Sequence, residues 1–375
     1  MKNRKTATVT WIKYYNFGSY LQAYALQQAI LRLGFENAVL DDSSIIEEGR
    51  KKKDNLVIHY LKGVYHFLFS LKNKKIRKFQ RLQKQSIKDY NLFKEKFINI
   101  DYRTLPLEKI DERYDQFICG SDQIWNPTPY IFSPFYYLGF TNKQKTAYAP
   151  SFGITNYPNE FIAKTKPLIQ NFDSLSIREK QGAEILEKSM GLKAKVVLDP
   201  TLLLDLNDWN KLLQIKKQPD NQEPYILCYF LSDNSWYRDF VTKISEERQL
   251  PIKIFATKPE YLGYGYKTIF GGPLEFLEEI KNATYVITDS YHGTIFSLIF
   301  EKKFYTLKRF SVDADNNQNS RVENLFSMID TTDYFIGEND MQRINTLSPL
   351  DYMKIKTILS EQREESINYL SNALN

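Results

Sequence analysis

Short apolar runs alternate with helix-length amphipathic stretches along most of the chain. Residues 6–11 predict a strand, and residues 21–31, rich in Ala, Leu and Gln, predict a helix closed by Gly34. A second strand begins at Ala38-Val39-Leu40. The rhythm resumes with strands at 117–119, 146–148, 174–177 and 195–198, and a helix near 179–188. Residues 219–224 form a polar, apolar-poor link, and the alternation then starts again. It gives strands at 225–230, 252–255, 285–288 and 304–307, with helices near 235–248, 274–281 and 293–300. Such alternation predicts an α/β chain with mostly parallel sheets, which bind ligands beyond the carboxyl ends of their strands. We place an N-terminal lobe at 1–210, a C-terminal lobe at 211–349 and an amphipathic helix at 350–375.

Residues 43–104 break the rhythm with a lysine-rich, helix-prone block that reads as an insertion in the first lobe. From Arg50 to Arg103 the net charge is +12, although the whole chain carries only +6, so the basic character belongs to this segment. Within it His59, Lys62, Gly63, His66 and Ser70 form a narrow polar stripe on an otherwise apolar stretch flanked by lysines. Residues 51–78 would suit a helix lying on an anionic membrane surface, or one packed on the lobe or in a dimer. No nucleic-acid recognition module accompanies the charge, so no nucleic acid is expected as a partner. The 375 residues are 42% hydrophobic and 15% aromatic, enough for two folded cores. Only Cys119 and Cys228 occur, no secretion signal opens the chain, and no apolar run is long enough to span a bilayer. A cytoplasmic location is expected, and the membrane-surface reading of residues 51–78 adds peripheral contact at the inner face of the membrane. No His/Cys ligand cluster is present, and neither metal nor cofactor is expected.

Chemistry concentrates at Asp289-Ser290-Tyr291-His292-Gly293, between an apolar strand and a helix. His292 is the one histidine outside the basic block, and it falls at a helix N-terminus, where free amides and the helix dipole favour anions. An imidazole there can relay a proton, or it can simply pack. Arg178 follows a strand and precedes a helix; it could grip an anion through two N–H groups or pair with Glu179 or Glu184. Arg309 and Arg321 are further cations that could equally be loop charges, and Asp122 could accept a hydroxyl proton or hold a turn.

Taken together, several segments resemble the polysaccharide pyruvyltransferase family. They are 16–27 (NFGSYLQAYALQ), 120–127 (GSDQIWNP), 148–153 (YAPSFG), 176–180 (SIREK), 197–201 (VLDPT), 289–293 (DSYHG) and Ser320-Arg321, in family order. The resemblance implies two Rossmann-like lobes resembling the type B glycosyltransferase fold, with the active site in the interlobe cleft. It also implies transfer of pyruvate from phosphoenolpyruvate onto two hydroxyls of a sugar, as a cyclic ketal. On that basis His292, Arg178 and Asp122 are expected in catalysis. Arg178, Arg321, Arg309, Ser290, Gly293 and Thr294 are expected at the donor, and Asn16, Gly18, Ser19, Ser121 and Gln123 at a lipid-linked or nucleotide-linked sugar acceptor. Many family members carry arginine where this chain has Ser290, so either Arg178, Arg309 or Arg321 supplies that cation or the donor differs. The competing readings are a glycosyltransferase-like enzyme using a nucleotide sugar and a non-catalytic glycan-binding protein of capsule assembly; His292 and Arg178 speak against the latter.

Overall fold

The computed structural model describes residues 4–45, 74–102, 106–127, 132–214, 223–310 and 319–375. The first sheet contains β1 (Lys5–Val9), β2 (Glu36–Leu40), β3 (Ile100–Asp101), β4 (Gln116–Cys119), β5 (Gln144–Ala147), β6 (Ser174–Ile177) and β7 (Lys195–Val196). Their order is β3-β2-β1-β4-β5-β6-β7, and every pairing is parallel. A second parallel sheet, β10-β9-β8-β11-β12-β13, is built from β8 (Ile226–Tyr229), β9 (Ile252–Phe255), β10 (Lys267–Ile269), β11 (Tyr285–Thr288), β12 (Lys303–Leu307) and β13 (Phe335–Ile336). The fold is therefore α/β with two parallel-sheet lobes. Its central strands β4 and β8 are buried throughout, which is why they read as continuous apolar runs.

In each sheet the strand order reverses once, between β1 and β4 and between β8 and β11. A crevice opens at such a reversal because the flanking connections run to opposite faces of the sheet. The loops that leave β1, β4, β8 and β11 there carry Trp11 and Tyr14, Asp122 and Gln123, Leu231, and Asp289 and Ser290, and all of these line one cavity.

The lobes share a core. α1 (Phe17–Arg32) begins with Phe17, whose ring stacks on Phe276 at 4.4 Å and meets Tyr229 and Phe255 edge-on at 5.4 and 5.2 Å. Phe276 lies on α8 (Pro273–Asn282) of the second lobe; between them in the chain come α2 (Lys74–Phe97), α3 (Leu107–Asp111), α4 (Asn159–Ile169), α5 (Lys180–Ile185), α6 (Leu206–Leu213) and α7 (Ser235–Arg248). After these follow α9 (Tyr291–Ile299), α10 (Ser320–Met328) and α11 (Tyr352–Leu374). The last returns to the first lobe. Gln144 and Thr146 donate to the Ala373 carbonyl at 3.0 and 3.2 Å, and Gln116 donates to that of Leu374 at 3.0 Å, satisfying carbonyls a helix end leaves open.

The basic block differs from a simple insertion. α2 lies in the crossover that leads from β2 to its parallel neighbour β3, and Phe79, Tyr90 and Phe93 of α2 are buried. Within this 24-residue helix the lysines lie largely on the solvent face. The stretch expected on a membrane surface lies outside the described residues up to Asn73. Among the described residues, no helix is long and apolar enough to cross a membrane.

Candidate active site

Two helix starts face each other across the lobes. Asn16 caps α1, its side chain accepting from Ser19 N at 3.2 Å, so the helix begins at Phe17, ahead of the apolar period that marks it in the sequence. Ser290 caps α9 and accepts from Gly293 N at 3.3 Å, which puts His292 in the first turn. Gly18 and His292 then meet so closely that a β-carbon on Gly18 would lie 2.0 Å from His292 Nδ1. Only a residue without a side chain fits there. Gly18→Ala is expected to push the imidazole aside, lowering turnover roughly tenfold to a hundredfold and stability by about 1–3 kcal/mol. Turnover assays and thermal unfolding test this; wild-type behaviour in both would mean the lobes adjust freely.

His292 is held from below. Its Nε2 lies 3.5 Å from Asp199 Oδ2, an ion-pair separation without hydrogen-bond geometry. That same oxygen accepts from Arg178 Nη1 at 2.8 Å, while Oδ1 accepts from Thr201 N and Oγ1 at 3.0 and 2.7 Å. Burial alone would raise the Asp199 pKa, but the His292 and Arg178 charges outweigh it and hold the carboxyl well below its ordinary value. Asp199 therefore stays ionised beside the imidazole.

Arg178 does not line the cavity in front of His292. Its side chain is 1% exposed, tied to Asp199, and it packs against the Tyr291 ring with the guanidinium carbon 4.9 Å from the centroid. Glu179 Oε2 is 3.9 Å away, and Glu184 instead accepts from Lys188 on the surface. Burial opposes the charge of Arg178, yet Asp199 and other neighbours raise its pKa overall.

The cavity in front of His292 measures about 250 Å³. From the first lobe Trp11, Tyr14, Asn16, Ser19, Asp122 and Gln123 line it; from the second come Ser290, Tyr291, His292, Arg309, Asn319 and Arg321. Asp122 accepts from Ser19 Oγ at 2.6 Å and, through its other oxygen, from Gln123 N at 2.8 Å. Its backbone is left-handed, with φ 73°, a conformation that Asp tolerates better than most side chains. Gln22 braces this loop, its amide oxygen accepting from Ser121 N at 3.0 Å.

Arg309 and Arg321 supply the cationic wall. Arg309 Nε lies 3.7 Å from Asp289 Oδ2, and Asp289 is anchored by Leu231 N and Ser232 N at 2.7 and 2.9 Å. Arg321 opens α10 and lies 5.7 Å from the centroid of the Tyr291 ring that also packs against Arg178. Burial, and next the nearby Arg178 charge, push the Arg321 pKa down to about 10 despite Glu179 and Asp122. A buried guanidinium destabilised by a second cation gains from a bound anion.

Besides Arg178 and Gly18, three expected residues do not line the cavity. Thr294 Oγ1 donates to Ser290 O at 3.0 Å and meets Thr306 on β12, Ser121 Oγ donates to Ala149 O at 2.7 Å, and Gly293 packs against Thr288. They position the two loops without lining the cavity. Asp199, Tyr291, Trp11, Tyr14 and Asn319 were not singled out from the sequence. Asp199 could have been, since it lies in Val197-Leu198-Asp199-Pro200-Thr201, a segment that already carried the resemblance.

The family model for polysaccharide pyruvyl transferases matches residues 16–309, which include both helix starts, Asp122, His292 and Arg309. The chain belongs to this family. No curated protein matches it in sequence. Among solved structures this family member is similar to a glycosyltransferase from Rickettsia africae ESF-5, with 12% identity, TM-score 0.47, and coverage of 98% of this chain and 94% of that one. It is also similar to a UDP-GlcNAc 2-epimerase from Neisseria meningitidis bound to UDP-GlcNAc, with 12% identity, TM-score 0.44, and coverage of 96% and 100%. A third is Acinetobacter baumannii MurG, with 10% identity, TM-score 0.41 and 98% of each chain covered.

Proposed function

We propose that this family member transfers the pyruvyl group of phosphoenolpyruvate onto two hydroxyls of one sugar in a surface-polysaccharide precursor, carried on a lipid or a nucleotide. The observation that supports this most is that Arg309 and Arg321 line the same cavity as His292. Phosphoenolpyruvate carries a carboxylate and a phosphate on one carbon, and a partly desolvated site needs more than one cation to hold both. Arg309 and Arg321 are suited to contact them, while Arg178 adds charge from behind Tyr291.

In this reading His292 gives a proton to the methylene carbon, and the electron pair of the double bond forms the new C–H bond. The neighbouring carbon becomes cation-like, and the oxygen of the first sugar hydroxyl bonds to it while Asp122 takes the hydroxyl proton. The carbon–oxygen bond to phosphate then breaks, its electron pair leaving with phosphate. The second hydroxyl oxygen adds to the same carbon and loses its proton, closing the ketal. Of the two hydroxyl protons, one restores the acid and the other leaves on phosphate, so the reaction balances with no further reactant. Proton transfer and fixed charge supply the catalysis.

Arg321→Lys and Arg309→Lys test the donor directly. Each keeps the charge but loses the planar fork, so each is expected to weaken phosphoenolpyruvate binding roughly tenfold to a hundredfold in calorimetric titration. Unchanged affinity in both variants would remove these arginines from the donor site and favour a nucleotide sugar as donor.

A further inference from the structure

A second cavity of about 210 Å³ opens beside the first, and Asn16 and Leu231 line both. Six aromatic side chains border it: Tyr15, Phe17, Tyr90, Tyr229, Phe255 and Phe270. It lies on the other side of the β8/β11 reversal, over the carboxyl ends of β8, β9 and β10. Among the described residues, none that lines it is charged. That separates it from the first cavity, whose arginines suit an anion.

One wall comes from the basic block. Gln83, Ser86, Ile87 and Tyr90 recur at the spacing of a single helical face and turn that face of α2 to the cavity. The helix is pinned against the second lobe, with Ser86 Oγ accepting from Gly271 N at 3.0 Å. A β-carbon on Gly272 would lie 2.8 Å from the Asp89 backbone, so the approach is close. The enlarged crossover thus builds a pocket at the mouth of the active site as well as a surface charge.

The lining selects a ligand class. Without a cation it does not suit a phosphate or carboxylate, whose desolvation would go uncompensated. The half-exposed Tyr15 ring over a floor of packed aromatic side chains, with the amides of Asn16 and Gln83 and the hydroxyl oxygen of Thr257, suits a neutral ring that is apolar on its C–H faces and polar at its rim. The volume is below that of a drug-sized site and fits a single sugar unit.

We propose that this cavity holds the uncharged sugar next to the one being pyruvylated, so that the protein reads at least a disaccharide and α2 sets which one. This rests on the sugar-acceptor reading above. Its test uses the full chain without phosphoenolpyruvate. Lactose, cellobiose and maltose are compared with their methyl monosaccharides by saturation-transfer NMR. Tyr15, 50% exposed, and Gln83, also exposed, can be changed without opening the core. At least one disaccharide is expected to bind more tightly than its monosaccharide. Tyr15→Ala and Gln83→Trp, the first removing a stacking face and the second filling the mouth, should each weaken it roughly twofold to tenfold. Monosaccharide and phosphoenolpyruvate binding should not change. No preference for any disaccharide, or binding indifferent to both variants, would overturn the proposal; so would uridine binding that both variants weaken, which assigns the cavity to a nucleobase. Because the readout involves no transfer, the disaccharide preference can stand even if phosphoenolpyruvate proves not to be the donor.

Discussion

His292→Ala is expected to lower sugar-dependent turnover by roughly 10²–10⁴-fold, the usual contribution of a positioned general acid. The fold should survive with a modest loss of stability, because Asp199 loses the imidazole but keeps its other partners. Asp199 keeps Arg178 at 2.8 Å and both bonds from Thr201 when the imidazole is gone. The α9 cap is likewise formed by Ser290 and not by His292. Phosphate-release rates read the first effect and thermal unfolding the second. Turnover near that of the wild type in a folded variant would exclude His292 from proton transfer and leave it as a packing partner of Gly18.

Asp199→Ala should do the converse, damaging stability and turnover together. Arg178 and Asp199 are both buried, with side chains 1% and 0% exposed. Removing one partner leaves a desolvated charge behind, which destabilises by about 3–5 kcal/mol, and here it also frees the imidazole from its support. Asp199→Asn keeps the shape and part of the hydrogen bonding, so its loss should be smaller in stability than in turnover. Acid supplies an independent check. His292 and Arg178 hold the folded-state pKa of Asp199 below its unfolded value, against the effect of burial. The ionised carboxylate therefore stabilises the fold above the ordinary carboxylate pKa of about 4, and that contribution is lost as pH falls further. The stability gap between wild type and Asp199→Asn should narrow as pH drops through that range. A gap that does not depend on pH, or an Asp199→Ala variant melting with the wild type, would contradict the buried support.

Much of this was legible along the chain because strands buried on both faces and amphipathic helices carry strong local periods. β6, α7, β9 and β11 occur at the residues that the pattern predicts. The weak points were short or edge elements. β3, β10 and β13 have two or three residues each, too few for a period to show. α1 begins before its apolar run because Asn16 fixes its start. In the candidate site, His292 stood out through its helix start, and Asp122, Asn16, Ser19 and Gln123 line the cavity with it. What a one-dimensional reading does not contain is the pairing of distant residues: Asp199 near His292, Gly18 against its ring, and the Tyr291 ring near both Arg178 and Arg321. For Arg178 the sequence records its charge and its strand-to-helix position but not its burial or its pairing with Asp199.

The most direct test of the account is incubation of the full chain with phosphoenolpyruvate and a series of lipid-linked and nucleotide-linked sugars, following phosphate release and the sugar by NMR. Phosphate release that requires the sugar is expected, with one ketal methyl group appearing for each phosphate released. Release of a nucleoside diphosphate from a nucleotide sugar, with phosphoenolpyruvate unconsumed, would contradict it.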